Sequence, residues 1–235
     1  MLGLGLNIAK PYMLNEEFDI LNINGLTMWY ERGAAILFRR QHVQKWPNHS
    51  TLNSIYDLDQ SNFSNMPRVS TPDGTDYTFY GTQTLETSTQ KDFFEFTVVV
   101  TLNLNETAGL TNEGLLGKGL NDLIKLYRGG SPTRVGYKLV GTNYDGNSMS
   151  TSYPSGDFVI SFTRYPGGES IIRINTDVVE TIQTDPADRL RYTQIGSGLL
   201  SGVGLDSVVY EIAIFDTDLS NDDLKNVEEY LLSRI

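Results

Sequence analysis

Ser207-Val208-Val209-Tyr210-Glu211-Ile212-Ala213-Ile214-Phe215, followed by Asp216-Thr217-Asp218-Leu219-Ser220-Asn221-Asp222-Asp223-Leu224, carries the reading that decides the fold. In the first segment Val208, Tyr210, Ile212 and Ile214 alternate with Val209, Glu211, Ala213 and Phe215. A period of two in a run rich in β-branched residues predicts a strand, because successive strand side chains point to opposite faces. Asp216-Thr217-Asp218 ends it. Ser220 then stands as a helix N-cap, with Asp223 three residues on in a shortened capping box. Leu219 and Leu224 fall where a hydrophobic staple forms, and Leu224, Val227 and Leu231 mark one face of a helix running to the last residue. A late strand closing into one short terminal helix predicts a β-sandwich with that helix packed across it.

Strand signals recur upstream with turn residues between them. Leu26–Tyr30 follows the turn-prone Asn24-Gly25, and Asp76–Gly81 alternates Tyr77 and Phe79 with polar neighbours. Phe93 to Leu104 is the longest candidate, with Phe94, Phe96, Val98, Val100, Leu102 and Leu104 on one face, and its length predicts a central strand. Shorter elements follow at Leu115–Lys118, Asp122–Arg128, Val135–Val140, Phe158–Arg164, Ser170–Ile174, Val178–Ile182 and Tyr192–Ile195. Tyr165-Pro166-Gly167-Gly168 is a strong turn between two of them. The class is therefore all-β: about a dozen strands and one helix.

The stretch from Glu31 to Thr71 is the least regular and holds Arg39, Arg40, His42 and Lys45, a local excess of positive charge. It reads as solvated loop charge or as a contact patch for an acidic neighbour, such as another copy's C-terminal third. Residues 1–22 read as an N-terminal arm and 23–235 as one domain. The apolar Leu2, Leu4, Leu6 and Ile8 of the arm, with Arg39 and Arg40, are the assembly-contact candidates. The arm lacks a basic leader and a small-residue cleavage site, so no secretory signal is expected, and no run reaches the ~18 apolar residues of a membrane span. Net charge is −11, of which −8 falls in residues 176–235. Such an acidic end disfavours nucleic acid and anionic membrane as partners. The absence of Cys removes disulfides, thiolate metal sites and cysteine nucleophiles together.

Catalytic constellations are weak. Glu17 and Asp19 share a strand face, as the paired carboxylates of a retaining glycosidase do at ~5–5.5 Å; Leu21 stands where a third acid would follow, and the pair lies outside the sheet pattern. His42 and His49 are too few for a three-His zinc site and read as loop residues. There is no Gly-x-Ser-x-Gly elbow, and Gly114-x-x-Gly117-x-Gly119 lacks the order of a phosphate loop. No catalytic residue is assigned. Asn143, Asp145 and Asn147 on alternate positions beside Tyr144 offer oxygen ligands and an aromatic platform. They are a glycan-binding or calcium-binding candidate, since calcium takes about 6–8 oxygens, or simply a turn built of turn residues. No other metal or cofactor is expected.

Taken in order, these motifs resemble the concanavalin A-like lectin/glucanase superfamily, in the laminin G-like jelly-roll form found in virion proteins of tailed bacteriophages. Leu26–Tyr30 is similar to the opening strand. Val43–Ser50 resembles the Trp-x-Asp/Asn-x-Ser-Gly motif, with Thr51 where Gly is usual. Asn65–Arg68 with Tyr77–Thr82, then Phe96–Val100, Leu115–Gly119, Phe162–Arg164 and Ile195-Gly196 follow in order. Asn175-Thr176 stands where an Asn-Gly hairpin turn is usual. Glu211 through Leu231 is the closest match. The resemblance implies a two-sheet antiparallel jelly-roll sandwich with one short C-terminal helix. It implies a non-enzymatic structural component of a virion, decorating or cementing a capsid or mounted on a tail, whose partners are other virion proteins or copies of itself. The alternative it implies is a carbohydrate-binding module for host-surface glycans, using loop aromatics such as Tyr144, Tyr153 or Tyr165. The glucanase members' acidic triplet and the lectin members' metal ligands have no counterpart in the sequence.

Overall fold

Alternating apolar residues resolve into two facing antiparallel sheets in a computed structural model, which describes residues 18–38, 41–50, 54–71, 74–104, 113–127, 134–146, 153–196 and 205–235. The strands in chain order are β1 (Leu26–Tyr30), β2 (Ile36–Phe38), β3 (His42–Trp46), β4 (Leu58–Asp59), β5 (Arg68–Val69), β6 (Tyr77–Phe79), β7 (Leu85–Phe93) and β8 (Phe96–Leu104). They continue as β9 (Glu113–Lys118), β10 (Asp122–Tyr127), β11 (Arg134–Leu139), β12 (Thr142–Asp145) and β13 (Asp157–Arg164). The last are β14 (Glu169–Ile174), β15 (Asp177–Gln183), β16 (Leu190–Ile195) and β17 (Ser207–Phe215), followed by one helix, α1 (Asn221–Leu232).

One sheet runs β1-β17-β8-β13-β14-β15. The other runs β2-β3-β4-β7-β16-β9-β10-β11-β12. A short ladder β3-β5-β6-β17 joins them at one edge. Every pairing is antiparallel, as the jelly-roll reading expects.

The inner faces interlock. Phe93, Phe96, Tyr137 and Phe162 come alternately from the two sheets and meet edge to face at 6.3, 6.1 and 6.0 Å between ring centres. Val98, Val100 and Leu102 of β8, and Ile212 and Ile214 of β17, fill the same core. The opposite face of these central strands is also buried: Trp29, Val99, Val159, Ala213 and Phe215 lie under Leu224, Val227 and Leu231 of α1. The molecule thus has three layers, sheet on sheet with a helix outside. The helix starts as expected. Ser220 Oγ accepts from the Asp223 backbone N–H at 3.1 Å and donates to the Asp223 carboxylate at 2.7 Å. Leu219 and Leu224 are both buried.

Several expectations shift. Of the strand expected from Phe93 to Leu104, Phe96–Leu104 forms β8, a central strand as expected, whereas Phe93 ends β7 in the other sheet, because the chain turns a corner at Phe94-Glu95. Phe94 faces solvent there, 53% exposed, instead of joining Phe96 in the core. Two adjacent phenylalanines cannot both point inward from one strand. In β17 a bulge between Val209 and Glu211 reverses the parity, so Val209 shares the inner face with Ile212 and Ile214, while Glu211 goes outward with Ala213 and Phe215. One inserted residue flips every side chain on one side of it. The irregular stretch from Glu31 to Thr71 carries four short strands, and the helix stops at Leu232, capped by Ser233. Of the expected arm, residues 18–22 pack on the body: Ile20 is fully buried and the Phe18 ring lies 5.1 Å from that of Tyr230.

The tryptophan motif is structural. Trp46 is fully buried and its indole N–H donates to the Glu31 carbonyl at 2.8 Å. Asn48 Oδ1 accepts from the Trp29 backbone N–H at 2.8 Å, and Ser50 Oγ donates to the Thr27 carbonyl at 2.7 Å. These bonds pin the loop after β3 to β1.

The β14–β15 hairpin turns through Asn175 and Thr176 with φ of 49° and 74°. Both central residues are left-handed, as a type I′ turn requires, although Thr is β-branched and strained there. Thr176→Gly is expected to stabilise the fold by about 1 kcal/mol, read as a thermal midpoint raised by about 2–4 °C. An unchanged or lowered midpoint would contradict the strain.

Candidate functional site

The residues singled out for oxygen chemistry lie on β12, paired to β11. Asn143 and Asp145 project from one side of that strand onto the ammonium of Lys125, a β10 residue only 1% exposed. Asn143 Oδ1 accepts from Lys125 Nζ at 3.2 Å, and Asp145 forms a close ion pair with it. Burial pushes the Lys125 ammonium below its usual range, opposed by the Asp145 hydrogen bond and charge. A lysine ammonium therefore lies against two of the oxygens that the sequence reading offered as a glycan-binding or calcium-binding candidate. Tyr144 projects to the other side. Its hydroxyl donates to Asp188 Oδ2 at 2.7 Å and accepts from the Asp185 N–H at 3.2 Å, which ties the ring to the β15–β16 connection. Tyr153 stacks on Phe158 at 6.0 Å and packs against the core. Asn147 lies outside the described residues, as do Leu2, Leu4, Leu6, Ile8, Arg39, Arg40 and Glu17. Asp19 caps a short turn by accepting from the Leu21 N–H at 3.0 Å.

His49 lies in the loop after β3, as expected, whereas His42 does not. His42 is a buried β3 residue whose ring lies 4.4 Å from that of Phe63, and burial together with the Arg68 charge pushes its imidazole below the usual value. His49 pairs with Glu31 at 3.2 Å. Among the described residues, no group of three or more His, Asp or Glu side chains is disposed to hold a metal ion.

The fully buried carboxylate Glu211 lies on the outer face of the first sheet, under the chain's C-terminal end. It accepts from the Trp29 indole N–H at 2.7 Å and from Arg234 Nε at 2.9 Å, and Arg234 also pairs with Glu31 at 2.7 Å. Glu228 of α1, only 1% exposed, accepts from Ser161 Oγ at 2.5 Å and pairs with Arg173 at 3.2 Å. Burial raises both carboxyl pKa values above the ordinary one despite these partners. Both acids serve to fasten the helix and the C-terminal residues to the sheet.

A cleft of about 420 Å³ opens at the corner where the chain passes from β7 to β8. Its walls carry Lys91, Asp92, Phe94, Glu95, Pro166 and Asp216. Lys91 pairs with Asp216 at 3.2 Å, and Asp92 with Arg189 at 2.8 Å. Among the described residues the Glu95 carboxylate has no hydrogen-bond or ion-pair partner. The Arg189 guanidinium stands over the Phe94 ring, 5.9 Å from its centre, and the residue remains 53% exposed.

Beneath the cleft, fully buried Arg164 holds its walls in place. It donates to the Phe94 carbonyl, to the Asp185 carbonyl at 2.7 Å and to Thr184 Oγ1 at 2.9 Å. Thr184 Oγ1 donates in turn to the Gly168 carbonyl at 2.8 Å, fixing the turn that presents Pro166. A buried guanidinium held by carbonyls rather than by a carboxylate is costly, and burial pushes Arg164 below its usual range. Sequence reasoning passed over this cleft because it treated Phe93 to Leu104 as one strand. The Phe93-Phe94 pair, followed by Glu95, was the available signal for a corner.

No protein-family model and no curated protein sequence matches the chain. Solved structures with a similar fold include a GH54 α-L-arabinofuranosidase at 13% identity and a TM-score of 0.61, covering 89% of this chain and 59% of that one. The binding domain of botulinum neurotoxin DC in complex with SialylT is similar at 11% identity and TM-score 0.55, covering 82% and 52%. Trypanosoma rangeli sialidase is similar at 12% identity and TM-score 0.58, covering 88% and 33%. The chain thus spans between a third and three-fifths of the length of these proteins. At such identities the likeness is one of fold, a β-sandwich shared by glycosidases and binding domains.

Burial couples the protonation of Glu228 to folding. A raised carboxyl pKa means that the folded chain holds more protons than the unfolded one between the two values, so stability falls as pH rises through that window. For Glu228 the window begins near the ordinary value of 4.5. Denaturant titrations of wild type and Glu228→Gln between about pH 4 and 8 are expected to show the difference moving in favour of the variant as pH rises. A difference moving the other way would mean that Arg173 and Ser161 outweigh the cost of burial.

Proposed function

We propose that this chain is a non-enzymatic structural component of a bacteriophage virion, a capsid decoration, cement or tail-associated protein that acts through protein–protein contacts. The observation that carries the reading is the collinear run of motifs from Leu26 to Leu231, which resembles laminin G-like jelly rolls of tailed-phage virions. The geometry of those motifs supports it: Trp46, Asn48, Ser50, Glu211 and Ser220 all hold elements together. Its partners are then other virion proteins or copies of itself, and its place is the particle. The two buried glutamates among the described residues, Glu211 of β17 and Glu228 of α1, are bound to arginines and lie outside the cleft.

A second reading, a carbohydrate-binding module for host-surface attachment, is favoured by the cleft with its half-exposed Phe94 and by sandwich neighbours such as the neurotoxin binding domain solved with SialylT. The two readings are compatible, since a particle-bound protein can also hold sugars.

Immunogold labelling with mass spectrometry of gradient-purified particles distinguishes the first reading. The chain is expected to co-sediment with particles at fixed copy number and to withstand stringent washing. Recovery only in the unassembled soluble fraction would overturn it. Reducing-end assays on arabinan and sialylated substrates are expected to stay at the level of the buffer blank; sustained turnover would overturn the non-enzymatic part.

A further inference from the structure

We infer that the cleft at the β7–β8 corner is a binding site for the pyranose ring of a neutral saccharide, with Phe94 as the platform and Glu95, Asp216 and Lys91 as hydroxyl partners. The inference rests on the second reading above and gives it a site distinct from the Asn143–Asp145 strand.

The argument is one of chemistry and preorganisation. Phe94 is a large apolar ring left 53% exposed beside a concavity, whereas its neighbours Phe93 and Phe96 are buried. A lone exposed apolar residue is ordinary; one on the wall of a cleft of ligand size is the pattern of a binding site. The volume of about 420 Å³ falls within the ~300–1,000 Å³ usual for small-molecule sites.

The charges select the ligand. Carboxylates at Asp92, Glu95 and Asp216 disfavour an anion, and since Arg189 already pairs with Asp92 and Lys91 with Asp216, Glu95 is the one carboxylate of the cleft left to draw a cation. The paired charges on the walls suit a neutral molecule with one apolar face and a rim of groups that both donate and accept. Pyranose rings have that form: axial C–H bonds lie against an aromatic ring, while hydroxyls donate to carboxylates and accept from an ammonium. Lys91 and Asp216, already paired at 3.2 Å, supply a donor and an acceptor side by side. Glu95 brings a carboxylate with no competing partner among the described residues.

The walls are fixed before any ligand arrives. Arg164 fastens the Phe94 carbonyl and, through Thr184, the turn bearing Pro166. Thr97 Oγ1 donates to the Thr217 carbonyl at 3.1 Å and holds the chain beyond Asp216. Rigid walls lower the ordering cost of binding. They also explain why an arginine is buried without a carboxylate: its several donors satisfy the carbonyls of a corner that no ladder can reach.

The test is a glycan array of neutral, amino-substituted and sialylated oligosaccharides. Calorimetry then follows with the best neutral glycan, comparing wild type, Phe94→Ala and Glu95→Gln. Both substitutions lie at the surface, and an unchanged thermal midpoint serves as the folding control. Wild type is expected to retain neutral glycans, and each variant to weaken binding by about tenfold or more. Binding by wild type that both variants preserve would overturn the site while leaving the carbohydrate reading standing. Preference for sialylated or amino sugars would overturn the charge argument. No retention of any glycan at about 1 mM would overturn both the site and the carbohydrate reading, and would leave the particle experiment unaffected.

Discussion

The structure depends on one constraint: its central strands, β8 and β17, are buried on both faces. Val98, Val100, Ile212 and Ile214 face the opposing sheet, while Val99, Ala213 and Phe215 face α1. Burying a large aliphatic or aromatic side chain contributes roughly 1.5–3 kcal/mol, and a pair covered on one side only would forfeit half of that. The helix is therefore part of the core. Glu211, the charge that β17 places in this layer, is met by Arg234 from the last turn of the chain, as Glu228 of α1 is met by Arg173. The sheet, the helix and the C-terminal residues are thus coupled through a single strand.

This is also why the end of the sequence was legible. Ser207–Phe215 reads as alternating and yet is apolar on both faces, the mark of a strand with neighbours above and below, and Ser220, Asp223 and Leu224 announce the helix that covers it. The bulge at Tyr210 was hidden, because an inserted residue leaves the composition unchanged and alters only the parity. Strands of two or three residues, such as β4 and β5, are too short for a period of two to emerge. The corner at Phe94 was lost for a related reason: Glu95 alone interrupts the apolar residues there, while the chain changes sheet.

The same limits governed the sites. Asn143, Tyr144 and Asp145 were visible as oxygen and aromatic chemistry, but not the Lys125 ammonium that meets two of them, since that contact spans two strands of the second sheet. The buried arginine that shapes the cleft was equally invisible. Arg164 ends an apolar strand and reads as its solvated terminus, whereas it reaches under the corner to carbonyls contributed by two separate loops. A sandwich core of this kind leaves its adaptable chemistry to the places where the chain changes sheet. The cleft lies at one such corner, and its polar groups are presented by a backbone that tertiary hydrogen bonds hold in place.

The central claim, that the strand pair is one unit sealed from both sides, is tested most directly by backbone hydrogen exchange on the full chain and on a chain lacking residues 219–235. The account predicts strong protection at Val99, Val159 and Ala213 in the full chain and its loss on truncation, together with loss of cooperative unfolding. Equal protection in both chains would contradict it, because the outer face would then be stable without its cover.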